Sequence, residues 1–435
     1  MQIKKFSYLN LFLITFFLTG QFAFAFADKI QQSLLSPETS DLIVCKIDDI
    51  IKRTNPYINI GLKITTMSGD IIYEKNAHQL FTPASNIKLI TAAAAFYYLK
   101  ETFCFQTKLL ADGNNENGTL NGNLYLKGNG DPTFTNQDLE KMVKNLVNSG
   151  IKNITGALCI DCSDYDDKPH SGGCCFANLG ESFNSPIFAI ILNRNPIKIT
   201  NRIINFEQVL LDIGQTLHSL CQKYNIKVTN KVLIQQAPSD AKILTSHNSE
   251  SLASLISQML KPSDNLFAET LFKKIGANYS KTPGSFENGI KAIEAFLNNV
   301  INISPNELLI DDGSGMSRYT EIAPDHFIKL LQWISTQPFF DKFVKCLPIC
   351  GIDGTLKSRM LNCAGHIKAK TGSMNGISSL SGYFYVNDSS KFIFSILIND
   401  FIQRDFKDHP PINYKKEIED EICTFFDGLI QNALS

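Results

Sequence analysis

Ser85 and Lys88 stand three residues apart in Phe81-Thr-Pro-Ala-Ser-Asn-Ile-Lys-Leu-Ile-Thr-Ala-Ala-Ala-Ala-Phe-Tyr-Tyr-Leu99, a stretch that reads as a helix from about Ser85 onward. Residues three apart stack on one helical face, so this hydroxyl and this amine meet at the helix N-terminus. Free backbone N–H groups and partial positive charge at that end suit a developing oxyanion. Leu89, Ile90 and Ala92 to Phe96 are too apolar for a surface, which places Lys88 inside a core. Desolvation disfavours the charged form of a lysine and readies it to accept the serine proton near neutral pH. The plainer alternative is a buried helix capped by serine, with a lysine that snorkels to water. Ser-x-x-Lys alone is weak, since Ser149 and Lys152 repeat it.

Two further stretches complete a nucleophile site. Ser263-Asp264-Asn265 falls in the break at Lys261-Pro262 between two helical patterns, where polar side chains can enter a cleft. Its plain reading is capping of the helix that starts at Leu266. Ser-x-Asn also occurs at Ser182, Ser246, Ser304 and Ser373, so only the inter-helix position singles out Ser263. Lys370-Thr371-Gly372-Ser373 ends a strand, with Gly376 shortly after. Glycine there admits a ligand or another backbone. A lysine guarding an edge strand is the plain reading.

The ordered set Ser-x-x-Lys, Ser-Asp-Asn, Lys-Thr-Gly is strong where each member is weak, and it resembles the penicillin-binding proteins and serine β-lactamases. Phe81 to Lys88, Leu126-Lys-Gly-Asn-Gly-Asp-Pro-Thr133, Ser185 to Asn193 and Asp311-Asp-Gly-Ser-Gly-Met-Ser-Arg318 narrow the likeness to the class C low-molecular-mass penicillin-binding proteins. It spans roughly residues 40 to 430, and the long separation of Ser85 from Ser263 fits that group's insertion. The resemblance implies a D-alanyl-D-alanine carboxypeptidase or endopeptidase. Ser85 is then the nucleophile and Lys88 the base. Ser263 passes a proton toward the leaving amine, and Asn265 holds the substrate amide and orients Lys88. Lys370 and Thr371 bind the terminal carboxylate beside Gly372, the N–H groups of Ser85 and Ser373 form the oxyanion hole, and Arg318 lines the rim. Peptidoglycan stem peptides are the implied partners and β-lactams the covalent inhibitors, with no cofactor and no metal. Two departures stand out: the insert looks short and cysteine-rich, and the single Trp333 lies far from every motif.

The elements that must position these groups follow from periodicity and turn chemistry. Helices are expected at Asp41–Ile51, Asn136–Ser149, Ser249–Met259, Leu266–Ile275, Phe286–Asn299, Asp325–Ser335 and Tyr414–Leu434. Asn59–Thr66 and Asp70–Glu74 form a hairpin around Met67-Ser-Gly-Asp70, and Ser378–Val386 with Lys391–Ile398 another through Asn387 to Ser390, beside a strand at His366–Lys370. Between them Gln106–Ala111, Gly122–Leu126, Ile190–Ile199 and Ile226–Gln235 read as strands. The fold class is α/β (α+β): an antiparallel sheet flanked by helices, plus a helical lobe. That transpeptidase-like catalytic domain is discontinuous, 28–100 and 243–435, with a β-rich insert at 101–242.

Lys plus Arg number 41 and Asp plus Glu 42, a balance that gives no reason to propose nucleic acid as a partner. Lys4 and Lys5, the apolar run Leu9–Leu18 and Ala25-Phe26-Ala27 read as a signal peptide over 1–27, hence a periplasmic chain. The alternative, an uncleaved anchor, would keep it at the membrane, and peripheral membrane association stays open. Eleven cysteines include Cys159, Cys162, Cys174 and Cys175 in one stretch, and Cys346 with Cys350. Local disulfides are favoured over zinc, because adjacent cysteines are not the usual second half of a zinc site. Two rivals remain. A β-lactamase would need a dedicated deacylation base, and a non-catalytic peptidoglycan-binding protein would not keep all three motifs. A Ser-His-Asp triad has no histidine in a suitable setting.

Overall fold

A computed structural model describes residues 34–54, 58–174, 181–195, 206–385, 391–401 and 415–434, together with Gln32. The expected signal peptide lies outside them. In chain order the first elements are α1 (Pro37–Thr54), β1 (Asn59–Thr66), β2 (Ile71–Lys75), α2 (Lys88–Leu99), β3 (Gln106–Ala111), β4 (Asn114–Glu116), β5 (Thr119–Asn121) and β6 (Leu124–Lys127). Then come α3 (Asn136–Asn148), β7 (Asn153–Ile154), β8 (Leu158–Asp161), α4 (Phe206–Lys223), β9 (Lys227–Val228), β10 (Val232–Ile234) and β11 (Lys242–Asn248). The chain continues with α5 (Leu252–Leu260), α6 (Asn265–Ser280), α7 (Phe286–Phe296), α8 (Pro324–Ser335) and α9 (Phe340–Cys346). It ends with β12 (Ile367–Met374), β13 (Ile377–Tyr385), β14 (Lys391–Asn399) and α10 (Glu421–Leu434). No helix among the described residues is long and apolar enough to cross a membrane.

Two compact units divide the chain: Met1–Pro83, Ile322–Gln337 and Leu347–Ser435 form the first, Ala84–Glu321 and Pro338–Cys346 the second. The first holds an antiparallel sheet in the order β12-β13-β14-β1-β2. Strand side chains alternate between faces, so Ile60, Leu62 and Ile64 of β1 and Phe392, Phe394, Ile396 and Ile398 of β14 share one side. They build a core with Ile43, Ile47 and Ile50 of α1 and Ile422, Phe426 and Ile430 of α10. On the other side α8 packs, tied by Lys63 Nζ to Asp325 Oδ1 at 2.8 Å and by the Tyr383 hydroxyl to the Leu331 carbonyl at 2.8 Å. Both expected hairpins form, the loop of the second lying outside the described residues.

In the second unit a mixed sheet runs β10-β8-β6-β3-β11, with a smaller one in the order β4-β5-β7-β9. β6 and β8, and β8 and β10, pair in parallel. Parallel neighbours need a crossover, and α3 and α4 supply one each. Leu139, Met142, Val143 and Leu146 of α3 and Leu210, Ile213, Leu217 and Cys221 of α4 close the core over this sheet.

Three expectations need correction. Of the strand expected at Ile190–Ile199, residues 190–195 form none, with Asn193, Arg194 and Asn195 all left-handed at φ 48, 67 and 46°, and residues 196–199 lie outside the described residues. The buried Asn195 side chain locks that turn, accepting from the Leu192 N–H and donating to the Ile190 carbonyl. Helix α4 was not expected at all. None of the ten described cysteines is in a disulfide. Cys159 packs with Leu110 and Tyr125 on one side of the sheet while Cys162 packs on the opposite core, so that pair faces apart. Cys174 takes a hydrogen bond from Asn184 instead, and Cys175 lies outside the described residues.

Candidate active site

A single 3-10 turn, Ala84–Ile87, carries Ser85 and runs straight into α2. Lys88 is fully buried there, as the apolar helix required. Its Nζ donates to Ser85 Oγ at 2.7 Å, to Asn265 Oδ1 at 2.7 Å and to the Ser314 carbonyl. An ammonium has three protons to give and here finds three acceptors. As a neutral amine the same group would keep two donors, for Asn265 and Ser314, and turn its lone pair to the Ser85 hydroxyl. The site therefore fits both protonation states without rearrangement. Burial pushes the Lys88 pKa down to about 8, against the attraction of Asp312, Glu269 and Asp264. Below that value the amine fills with protons and has no lone pair to offer the Ser85 hydroxyl.

Asn265 opens α6, and Asp264 caps it, its Oδ1 accepting from the Phe267 N–H at 3.3 Å. The other Asp264 oxygen pairs with Arg194 at 2.8 Å. Ser263 takes a left-handed φ of 66° in the four-residue break between α5 and α6, two residues before Asn265. A non-glycine residue held there costs about 1–3 kcal/mol and persists where the surroundings over-determine it. Asp264, not Ser263, does the capping that the plain reading assigned to this tripeptide. Asn265 Nδ2 donates to the Phe183 carbonyl at 3.1 Å, so the carboxamide orientation is fixed at both ends.

The first unit places Lys370, Thr371, Gly372 and Ser373 on β12, which is an edge strand of its sheet. The strand runs on through Met374, past its expected end. Lys370 is fully buried, so it is no solvent-facing guard of that edge. Its Nζ donates to the Thr371 carbonyl at 2.6 Å, and the Thr371 and Thr355 hydroxyls lie 2.7 Å apart. Gly372 pairs with Ser379, whose hydroxyl donates to the Pro83 carbonyl at 2.7 Å. The structure thus brings Ser85, Lys88 and Asn265 into direct contact, with Ser263 alongside in the chain. Arg318 is exposed.

Sequence reasoning gave no role to Ser314, Glu269 or Asp312, although Asp312 and Ser314 fall in the Asp311–Arg318 stretch that carries the resemblance. Ser314 contributes a backbone carbonyl, which no side-chain pattern reveals. Glu269 had a signal: it lies four residues after Asn265, on the same face of the helix.

Gly315 packs against the turn that carries Ser85. It sits at φ +80°, and a Cβ there would lie 1.9 Å from the Ala84 carbonyl oxygen. Ala84 is itself left-handed at φ 45°, one residue before Ser85. Gly315→Ala is expected to slow acylation of Ser85 by a β-lactam about a hundredfold, the effect of roughly 1 Å of misplacement. Stopped-flow labelling checks this, and an unchanged rate would show that the turn does not aim the hydroxyl.

Known proteins match this chain over most of its length. A sequence profile of the D-Ala-D-Ala carboxypeptidase 3 (S13) family matches residues 44–205 and 199–412. D-alanyl-D-alanine carboxypeptidase DacB of Haemophilus influenzae is 27% identical over 451 residues, covering 87% of this chain and 94% of its own length. The crystal structure of penicillin binding protein 4 (dacB) from Haemophilus influenzae superposes with a TM-score of 0.80 at 25% identity, over 88% of this chain and 99% of that one. Its complex with a β-lactam gives a TM-score of 0.75 at 23% identity, over the same shares. The α/β architecture expected from the sequence is that of these structures.

Proposed function

The chain belongs to the D-Ala-D-Ala carboxypeptidase 3 (S13) family, and from that premise we propose that it is a serine-type D-alanyl-D-alanine carboxypeptidase and endopeptidase of peptidoglycan peptides. The observation that carries the reading is Lys88, buried and held by Asn265 and Ser314 with its remaining valence on Ser85 Oγ. Ser85 attacks the carbonyl carbon between two terminal D-alanines while its proton passes to neutral Lys88. The tetrahedral adduct collapses as the leaving amine takes up a proton by way of Ser263. D-alanine departs, and water then hydrolyses the Ser85 ester. In an endopeptidase turn the leaving amine belongs to a cross-bridge instead.

Lys370 and Thr371 hold the substrate's terminal carboxylate in this reading, beside Gly372, and the N–H groups of Ser85 and Ser373 stabilise the oxyanion. Arg318 would contact the substrate from the rim. A β-lactamase is not favoured. Glu269, the buried glutamate nearest in kind to a deacylation base, has both oxygens on backbone N–H groups. β-Lactams should therefore acylate Ser85 and leave slowly. An extracytoplasmic site of action, reached through the signal-peptide pattern of residues 1–27, completes the proposal.

The test is direct. The purified protein should release D-alanine from a peptide ending in D-Ala-D-Ala and cleave a cross-linked muropeptide. Penicillin should give a one-to-one, long-lived adduct on the peptide containing Ser85. No D-alanine and no adduct would overturn the reading, and rapid turnover of penicillin would favour the β-lactamase.

A further inference from the structure

Beside Lys88, two carboxylates organise a single loop. Glu269 of α6 is 2% exposed and Asp312 fully buried. Glu269 Oε2 accepts from the Gly313 N–H at 3.1 Å and its Oε1 from the Ser314 N–H at 3.2 Å. Asp312 Oδ1 accepts from the Gly315 N–H at 2.9 Å and its Oδ2 from the Ser317 N–H at 2.8 Å, with the Ser314 hydroxyl at 3.4 Å. Four backbone N–H groups between Gly313 and Ser317 are thus spent on two side chains. The carbonyls left over point the opposite way, Gly313 to the Thr91 hydroxyl at 2.7 Å and Ser314 to Lys88 Nζ. A loop of glycine and serine has little intrinsic preference for one conformation, so its shape here is imposed by the carboxylates.

Charge makes the same pair matter to the amine. Two buried acids and one buried base share this interior, and each senses the others through a medium that screens poorly. Lys88 faces Asp312, Glu269 and Asp264, the last already paired with Arg194. Glu269 faces Asp312, Lys88 and, one turn along α6, Lys273, which is itself bonded to Asp166 at 2.7 Å. Asp312 faces Lys88 and Asp311. Burial, aided by Asp312, pushes Glu269 upward, and burial, aided by Asp311, pushes Asp312 upward, while the attraction of both holds Lys88 above the value that burial alone would give it.

We propose that Glu269 and Asp312 are a pair of positioning residues that fix the Ser314 carbonyl against Lys88 and set the pH at which Lys88 becomes the base. This rests on the acyl-enzyme reading of Ser85. Neither acid touches substrate; both act through Lys88. The consequence separates from a merely structural role, because a packing defect lowers the rate equally at every pH, whereas loss of the negative charge lets Lys88 shed its proton earlier.

The experiment is the rate of Ser85 acylation by a chromogenic β-lactam from about pH 5 to about pH 10, where the acid limb reports the free enzyme's base. The wild type should show that limb near pH 8, following the Lys88 value of about 8. Asp312→Asn should move it down by at least about one pH unit, and Glu269→Gln with Asp312→Asn further still, with a lowered plateau in both. A limb that stays in place in folded variants overturns the proposal. Should the variants fail to fold, the wild type decides: a limb below about pH 6, where uncompensated buried lysines titrate, shows that the acids do not hold Lys88. A wild type that is never acylated overturns the Ser85 reading instead, so the two failures are distinguishable.

Discussion

Ser85→Ala and Lys88→Met are each expected to lower kcat/KM for a D-Ala-D-Ala peptide by at least about a thousandfold, with the double variant no worse than either alone. The hydroxyl is a poor nucleophile unless its proton can leave, and the amine has no other work in the reaction. Two groups that act only together are lost together. A thousandfold corresponds to about 4 kcal/mol of transition-state stabilisation. Ser85→Ala should leave folding intact, since it deletes one acceptor from a lysine that keeps Asn265 and Ser314. Lys88→Met preserves length and removes charge, leaving Glu269 and Asp312 with no amine beside them. That variant should be the less stable of the two, and by a margin that shrinks at low pH, where both acids protonate. D-alanine release measures the activity and penicillin labelling the acylation step. Two losses that multiply in the double variant would mean that Lys88 serves something other than the Ser85 proton.

How much of this was legible depends on what each element asks of side chains. The Ser85–Lys88 contact follows from helical spacing and an apolar helix, and Asn265 from a polar tripeptide in a helix break. The sequence places Lys370 on a strand ending at that residue, and it lies on β12, which runs on through Gly372 to Met374. The Ser314 carbonyl is a backbone acceptor whose aim is set by Glu269 and Asp312, so it surfaces only when the loop is folded. Helix α4 has no counterpart in the sequence reading, which places one helix, Asn136–Ser149, among the strands of the insert. Had β8 and β10 been recognised as parallel neighbours, a crossover helix between them would have been required. The run after Ser185 has strand-like composition, yet it is a buried loop pinned by the Asn195 side chain, a tertiary override of local preference. The cysteines misled through crowding in sequence. Cys159 lies within β8 and Cys162 just past its end, and they face different cores.

Arg359→Met is expected to destabilise the first unit by about 3–5 kcal/mol, the cost of leaving a buried charge without its partner. Arg359 donates through its guanidinium to Glu419 Oε2 at 2.8 Å and to Asp420 Oδ1 at 2.9 Å. Glu419 is fully buried, and its second oxygen accepts from the Ser378 hydroxyl at 2.7 Å. Burial raises the Glu419 pKa and Arg359 is the chief force opposing the rise. Without the guanidinium the carboxyl moves further up, so the folded variant binds a proton that the unfolded chain does not. The deficit should therefore be largest near pH 8 and shrink toward about pH 5. Arg359→Met combined with Glu419→Met should recover most of the loss, because a buried ion pair exchanged for apolar side chains is often neutral. Trp333, the chain's single tryptophan, lies on α8 within the same unit, so its fluorescence in urea reports this transition without a label. Ser378 stands opposite Ser373 in the β12–β13 register, so the network braces the strand that carries Lys-Thr-Gly from behind. A double variant as unstable as Arg359→Met alone would mean that the guanidinium stabilises by packing its stem, and that the Glu419 charge costs the fold nothing.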